Sequence, residues 1–370
     1  MEDLPLRLKW LMIILLCLVI VHTPIVSSAS PGVSARNAVL MEQSTGRVLF
    51  EKQAHNKEKI ASITKIMTAI VAIESGMLED TVKVSRRAVY EEGSSIYLEQ
   101  GEEMKLKDLV YGLMLRSGND AATAIAEHVG GSLEGFVFLM NQKADWIGMD
   151  NSHFANPHGL DAEDHYSTAY DMALLTRYAM NNEIFRKVSS TTTYKAESRT
   201  YAWGNKNKML TKYYDHSTGG KTGYTKSAGR TLVSTAEKDG MELIMVTLNA
   251  PDDWNDHRNM FEWGYETYDL REIQDKGELQ LEEQPNEGAL GYLWEPVIVP
   301  LTKEEANQIE QITYTLKPNL LESVNTVLGK AVYELNGEKI ADVPLMAEPA
   351  KVPSFWKETV EVFKRMIGVQ

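Results

Sequence analysis

The chain has 370 residues, 43% hydrophobic and 24% charged, enough for one large domain plus a smaller one and too ordinary for a mainly disordered or fibrous protein. A formal net charge of -14 sets the surface against phosphate backbones, so nucleic acid is not an expected partner. A local positive site inside a negative whole remains open for a smaller anionic ligand.

The chain opens on a targeting segment over residues 1–29. Arg7 and Lys9 precede an uncharged apolar run from Trp10 to Val21, and Ser27-Ser28-Ala29 supplies small residues ahead of a cleavage site before Ser30. The run is too short for an ordinary membrane-spanning helix. The acidic pair Glu2 and Asp3 is unusual in such a leader, and an uncleaved anchor is the alternative reading. The lone cysteine, Cys17, falls inside the run, so the mature chain is expected to carry no disulfide, thiol nucleophile or cysteine-bound metal. Export without disulfides leaves stability to the core.

Two strand-like runs, 38–43 and 47–51, flank Ser44-Thr45-Gly46 and predict a hairpin. A helix is expected over 62–75, with Ile63, Ile66, Met67, Ile70 and Ile73 apolar and Gly76 as its stop. A second is expected over 106–115, and a third over 121–129 after Ser117-Gly118-Asn119-Asp120. Residues 231–236 and 243–248 read as strands joined at Lys238-Asp239-Gly240. Composition shifts after about Asp269. Short strands are expected at 297–301, 312–316, 331–335 and 339–343, the last two joined by Asn336-Gly337, so 271–350 reads as a small β-rich domain after a larger domain over 30–270. Residues 353–370 form an amphipathic tail. Phe355, Val362, Met366 and Val369 make one ridge, and Trp356, Val360, Phe363 and Ile367 a second. Lys357, Glu361, Lys364 and Arg365 lie opposite. Such a helix is expected to lie on a membrane surface, with docking on the β-rich domain as the alternative.

Three short motifs carry the chemistry. In Ser62-Ile63-Thr64-Lys65, the i and i+3 positions of a helix share a face, so the lysine can reach the serine oxygen and act as its base. Alone the pattern is weak: Ser354-Phe355-Trp356-Lys357 also fits it, and Ser62 by itself fits a helix N-cap. Ser117-Gly118-Asn119 lies in a break between two helices, where Gly118 is expected to permit a sharp turn and Asn119 or Asp120 could simply cap the next helix. Ser323-Val324-Asn325 shows how common that pattern is. Lys221-Thr222-Gly223, within Thr218-Gly219-Gly220-Lys221-Thr222-Gly223-Tyr224-Thr225, reads as a glycine-flanked strand edge that a ligand approaches closely, with a lysine and a hydroxyl suited to a carboxylate. A turn with one exposed lysine is the plainer alternative. His153, His158 and His165 are too scattered for a zinc site, His158 suits a loop-stabilising role, and no metal or cofactor is expected.

Taken in this order, the three motifs resemble those of the serine-type D-alanyl-D-alanine carboxypeptidases, the low-molecular-mass penicillin-binding proteins of peptidase family S11. The resemblance runs from about residue 38 to 268 and includes Glu92-Gly93-Ser94-Ser95, Asn156-Pro157-His158-Gly159-Leu160 and His165-Tyr166-Ser167-Thr168-Ala169-Tyr170-Asp171. Around residues 61–69 and 109–122 it is similar to the sporulation-specific branch, which trims cortex peptidoglycan.

The resemblance implies an α/β (α+β) fold, an antiparallel sheet flanked by helices and followed by the β-rich domain. It implies an exported enzyme at the outer face of the cytoplasmic membrane, or between the membranes of a forespore. The substrate would be stem peptides ending in D-Ala-D-Ala, and β-lactams would be covalent inhibitors. Ser62 would form the acyl-enzyme, Lys65 accept its proton, and Ser117 relay a proton to the departing D-alanine. Asn119 would hold the substrate amide, Lys221 and Thr222 the terminal carboxylate, and the N–H groups of Ser62 and Tyr224, beside Gly223, the oxyanion. A lysine base near neutrality needs its pKa lowered from ~10.4 by about 3, about 4 kcal/mol, which burial and the neighbouring Lys221 could supply. Many relatives add an arginine downstream of the third motif, and Arg258 does not clearly occupy that place. A class A β-lactamase-like hydrolase is the first alternative, but its glutamate pattern is missing after Asn119; a non-catalytic wall-binding or β-lactam-sensing module is the second, against which the intact motifs stand.

Overall fold

The computed structural model describes residues 30–279, 291–315 and 327–346. The leader at 1–29, the tail at 353–370, and the look-alike motifs at Ser323 and Ser354 lie outside the described residues.

A five-stranded antiparallel sheet organises the larger part of the described chain. β1 (Asn37–Glu42) and β2 (Val48–Lys52) form the expected hairpin; β3 (Ser217–Thr225), β4 (Gly229–Lys238) and β5 (Met241–Leu248) follow much later in the chain. The strand order is β2-β1-β5-β4-β3, so the first hairpin joins the later meander through β1 and β5, and β3 is left at an edge. Both faces are covered, and the period-2 alternation sorts side chains between them. Val39, Met41, Ile244 and Val246 enter one core with the helices. Ala38, Leu40, Leu243 and Met245 enter a second core beneath a helix at Asp253–Thr267.

On the first face lie α1 (Lys65–Glu74), α2 (Leu106–Arg116), α3 (Asn119–Gly130), α4 (Leu133–Ile147), α5 (Ala169–Met180) and α6 (Glu183–Ser190). The helix expected over 62–75 is split. Ala61–Thr64 is a tight 3-10 turn, and α1 continues from Lys65. Its apolar stripe understates its burial, because every residue from Lys65 to Ile73 is buried. Such a helix is enclosed on all sides, and a charged residue at its start is enclosed with it.

The break between α2 and α3 differs from expectation in its hinge. The left-handed residue is Ser117, at φ 64, while Gly118 is extended at φ -60. Gly118 is required instead by crowding: a Cβ there would stand 2.7 Å from Asp120 Oδ1 and 3.1 Å from Ile96 Cγ2. α3 starts at Asn119 with Gly118 at the capping position, so neither Asn119 nor Asp120 is the cap.

From Asp269 onward the regular elements among the described residues are all strands apart from one short 3-10 turn. β6 (Asp269–Gln274) pairs with β9 (Val297–Leu301), and a second five-stranded sheet has the order β7-β8-β12-β11-β10, made of Gly277–Leu279, Gly291–Leu293, Glu338–Met346, Val327–Leu335 and Ile309–Thr315. Asn336 and Gly337 turn its hairpin with φ 54 and 81, the double left-handed turn that matches strand twist. Arg47, at the end of the first hairpin turn, reaches across to Glu305 at 2.6 Å and to the Pro300 carbonyl, tying this region to the first sheet.

Candidate active site

The 3-10 turn that carries Ser62 is packed between β3 and the loop containing Gly159. Ala61, one residue before the serine, has φ 49, an uncomfortable value for a residue with a side chain. Its carbonyl is held by the Thr64 hydroxyl at 2.8 Å. Thr64 Oγ1 lies 2.8 Å from His165 Nε2, and His165 Nδ1 accepts the Ala155 N–H at 3.0 Å, so Nε2 is the protonated nitrogen and donates to Thr64. Ser62 is therefore no N-cap. Ile60 takes that place, without a side-chain bond.

Lys65 projects from the first turn of α1 into a closed polar pocket. Its Nζ lies 3.1 Å from Ser62 Oγ, 2.7 Å from Asn119 Oδ1 and 2.5 Å from the His158 carbonyl. The side chain is wholly buried, and burial is the main cause that holds its pKa well below the usual lysine range. The cations Lys221 and Lys206 push the same way, against a weaker opposing pull from Asp120 and Glu91.

The opposite wall is β3. Lys221 Nζ lies 3.1 Å from Ser117 Oγ and 2.7 Å from the Thr222 carbonyl, and burial, with Lys206 second, lowers its pKa to about 7. The glycines of this strand are dictated by close approach: a Cβ on Gly223 would stand 2.4 Å from Thr231 Oγ1 and 2.9 Å from the backbone nitrogen of Ser62. That contact sets the Ser62 N–H beside the segment leading to Tyr224. Thr222 is half-buried and Tyr224 is exposed, next along the same edge.

Three distant segments thus supply two hydrogen-bonded groups, Ser62 with Lys65 and Asn119, and Ser117 with Lys221, which meet where Ser117 and Asn119 flank Gly118. Asn119 Oδ1 accepts the Lys65 bond and its amide nitrogen donates to the Glu92 carbonyl. Arg258 is exposed and bonded to Asn255, while Arg230, opposite Tyr224 in the β3–β4 register, lies 2.6 Å from Asp253.

Sequence reasoning missed four contributors. The His158 carbonyl binds Lys65 through its backbone, which no side-chain pattern reveals. Gly159, at φ 85, sits so close that a Cβ would be 2.0 Å from the Ala61 oxygen. Lys206, exposed, adds a third cation and reaches Ser94 Oγ at 3.3 Å. Asp120, 1% exposed, anchors the loop 95–98. Of these, only Gly159 had a legible signal, as the glycine closing Asn156-Pro157-His158.

The family D-alanyl-D-alanine carboxypeptidase, peptidase S11, matches residues 25–252. The chain is 34% identical over 354 residues to the D-alanyl-D-alanine carboxypeptidase DacF of Bacillus subtilis, covering 90% of this chain and 89% of that protein. Its structure is similar to penicillin binding protein 5 from Haemophilus influenzae, with TM-score 0.73, 26% identity, and coverage of 87% of this chain and 99% of that one. A mutant of the Streptomyces K15 DD-transpeptidase aligns with TM-score 0.61 and 29% identity over 64% of this chain and all of its own. The chain belongs to the D-alanyl-D-alanine carboxypeptidase family of serine peptidases. That membership sets it apart from both alternatives, the β-lactamase-like hydrolase and the non-catalytic module.

Proposed function

We propose that the protein removes the terminal D-alanine from peptidoglycan stem peptides through an acyl-enzyme on Ser62. The observation that carries the reading is the environment of Lys65. A neutral amine has two N–H donors and one lone pair. Two buried acceptors, Asn119 Oδ1 and the His158 carbonyl, take both donors, which turns the lone pair toward Ser62 Oγ. Burial, then the cations Lys221 and Lys206, shift the balance toward that neutral form.

The Ser62 oxygen then bonds to the carbonyl carbon between the two D-alanines as its proton passes to Lys65. Negative charge on the carbonyl oxygen faces the N–H groups of Ser62 and Tyr224. Collapse breaks the C–N bond, and Ser117, supported by Lys221, delivers the proton to the departing amine. The terminal carboxylate is drawn to Lys221 and Thr222, with Lys206 adding positive potential inside a chain of net charge -14. Water finally cleaves the ester on Ser62 and frees the shortened peptide. β-Lactams enter the same reaction as covalent inhibitors.

The location we assign is the outer face of the cytoplasmic membrane, or the space between the membranes of a forespore, with the tail at 353–370 as a peripheral anchor. The sequence similarity around residues 61–69 and 109–122 supports a role in limiting cross-links of spore cortex. No helix among the described residues is long and apolar enough to cross a membrane. The decisive experiment is mass spectrometry after exposure to penicillin. One adduct mapped to Ser62, lost in Ser62→Ala together with D-alanine release while the circular dichroism spectrum is unchanged, is the expected result. An adduct on any other serine would refute the assignment.

A further inference from the structure

The loop 92–98 is bolted to the wall of the cleft formed by the α2–α3 break. The Asn119 N–H donates to the Ser94 carbonyl at 2.6 Å, the Asn119 side chain donates to the Glu92 carbonyl, and Lys206 reaches Ser94 Oγ. Beyond Ser94 the loop is clamped by one buried carboxylate. Asp120 accepts the Ser95 hydroxyl at 2.6 Å, the Ile96 N–H at 3.0 Å and the Leu98 N–H at 3.1 Å. Ile96 and Leu98, 1% and 4% exposed, are driven into the core on either side.

The residue between them has nowhere to go but outward. Tyr97 takes φ 61, with its own N–H bonded to Ser95 Oγ at 2.7 Å and its carbonyl to Arg199 Nη2 at 3.2 Å. The backbone is satisfied, and the side chain stands 76% exposed. A left-handed conformation suits glycine or asparagine and is costly for a bulky aromatic. Here it is enforced by Asp120, the residue that directly follows Ser117-Gly118-Asn119. Strain held in place by a buried charge beside a reactive cleft points to a use for the side chain it presents.

From this geometry we infer that Tyr97 is a specificity-determining residue, its ring covering the aliphatic side chain of the residue that precedes D-Ala-D-Ala in the donor peptide. The loop that holds Tyr97 is tied to Asn119 through the Asn119 N–H to Ser94 carbonyl bond, whereas Lys221, to which the terminal carboxylate is drawn, projects from β3. A substrate stretched between them sends its acyl side toward the 92–98 loop. The inference rests on the carboxypeptidase reading.

The test compares two substrates, diacetyl-L-Lys-D-Ala-D-Ala and acetyl-D-Ala-D-Ala, in the full mature chain. Tyr97→Gly removes the ring while its backbone tolerates the left-handed conformation, so Tm should hold; Tyr97→Phe keeps the ring. For Tyr97→Gly, kcat/KM on the longer substrate should fall about tenfold, through KM, as the contact area of one ring face is lost. The shorter substrate should change less than about twofold, and Tyr97→Phe should match the parent on both. Equal losses on the two substrates would overturn the inference and make the loop a support for Asn119. Unchanged kinetics on both would also overturn it. A parent chain that released D-alanine from neither substrate would overturn the reaction itself, and this assignment with it.

Discussion

Gly159→Ala probes whether the loop behind Ser62 sets the nucleophile in place. Gly159 has φ 85, and an added Cβ would lie 2.0 Å from the Ala61 carbonyl oxygen, 2.5 Å from its carbon and 2.9 Å from Thr64 Oγ1. The first two are backbone atoms of the residue preceding Ser62, so relief requires moving the turn itself. The left-handed conformation costs an alanine about 1–2 kcal/mol, and overpacking adds about 1–3, for a total of about 2–5 kcal/mol. At about 2–4 °C per kcal/mol for a domain of this size, Tm should fall by roughly 4–20 °C. Acylation should suffer further, because a displacement near 1 Å at a reacting atom can cost up to ~100-fold. Gly148→Ala is the control: Gly148 has φ 86 and nothing within 4 Å, so it carries the conformational cost without the collision. The assays are thermal unfolding and the second-order rate of penicillin acylation. If Gly159→Ala matched Gly148→Ala in both, the collision would be absent and the loop would not position Ser62.

Lys221→Gln should move the acid limb of the pH profile for β-lactam acylation upward. The Lys221 cation disfavours protonated Lys65, so its loss raises the Lys65 pKa; a limb that stays put or moves down would contradict this. Below pH 6.5 the protein should lose stability steadily. Burial pushes the imidazoles of His158, His165 and His257 down from about 6.5 to about 3, 4 and 3, so the unfolded chain takes up protons that the native one refuses, and Tm measured from pH 7 down to 4 should drop. A flat profile would show these rings to be accessible. Arg47→Ala should cost about 1–3 kcal/mol by leaving Glu305 and the Pro300 carbonyl without their partner, and should speed proteolysis beyond residue 269 without slowing acylation.

Much of this protein was legible from local rules. The hairpin turns at Gly46, Asp239-Gly240 and Asn336-Gly337 follow from residues that tolerate left-handed backbone, and their φ values of 76, 52, 84, 54 and 81 bear that out. The pairing of Ser62 with Lys65 follows from spacing on a helical turn, which any helix of that sequence would produce. The identity of the three motifs was therefore available before any fold was known. Tertiary structure decided what the motifs do to one another. Whether Lys65 is a solvated cation or an enclosed base depends on α3, β3 and the 158–159 loop closing over it, contacts spanning up to 156 positions of the chain from Lys65 to Lys221. The hinge at Ser117 rather than Gly118, the clamp from Asp120 to Ile96 and Leu98, and the fit of Gly159 against Ala61 share that origin. Each is a close contact between segments that the sequence keeps apart, and burial and excluded volume act through space, where a one-dimensional pattern carries no distance.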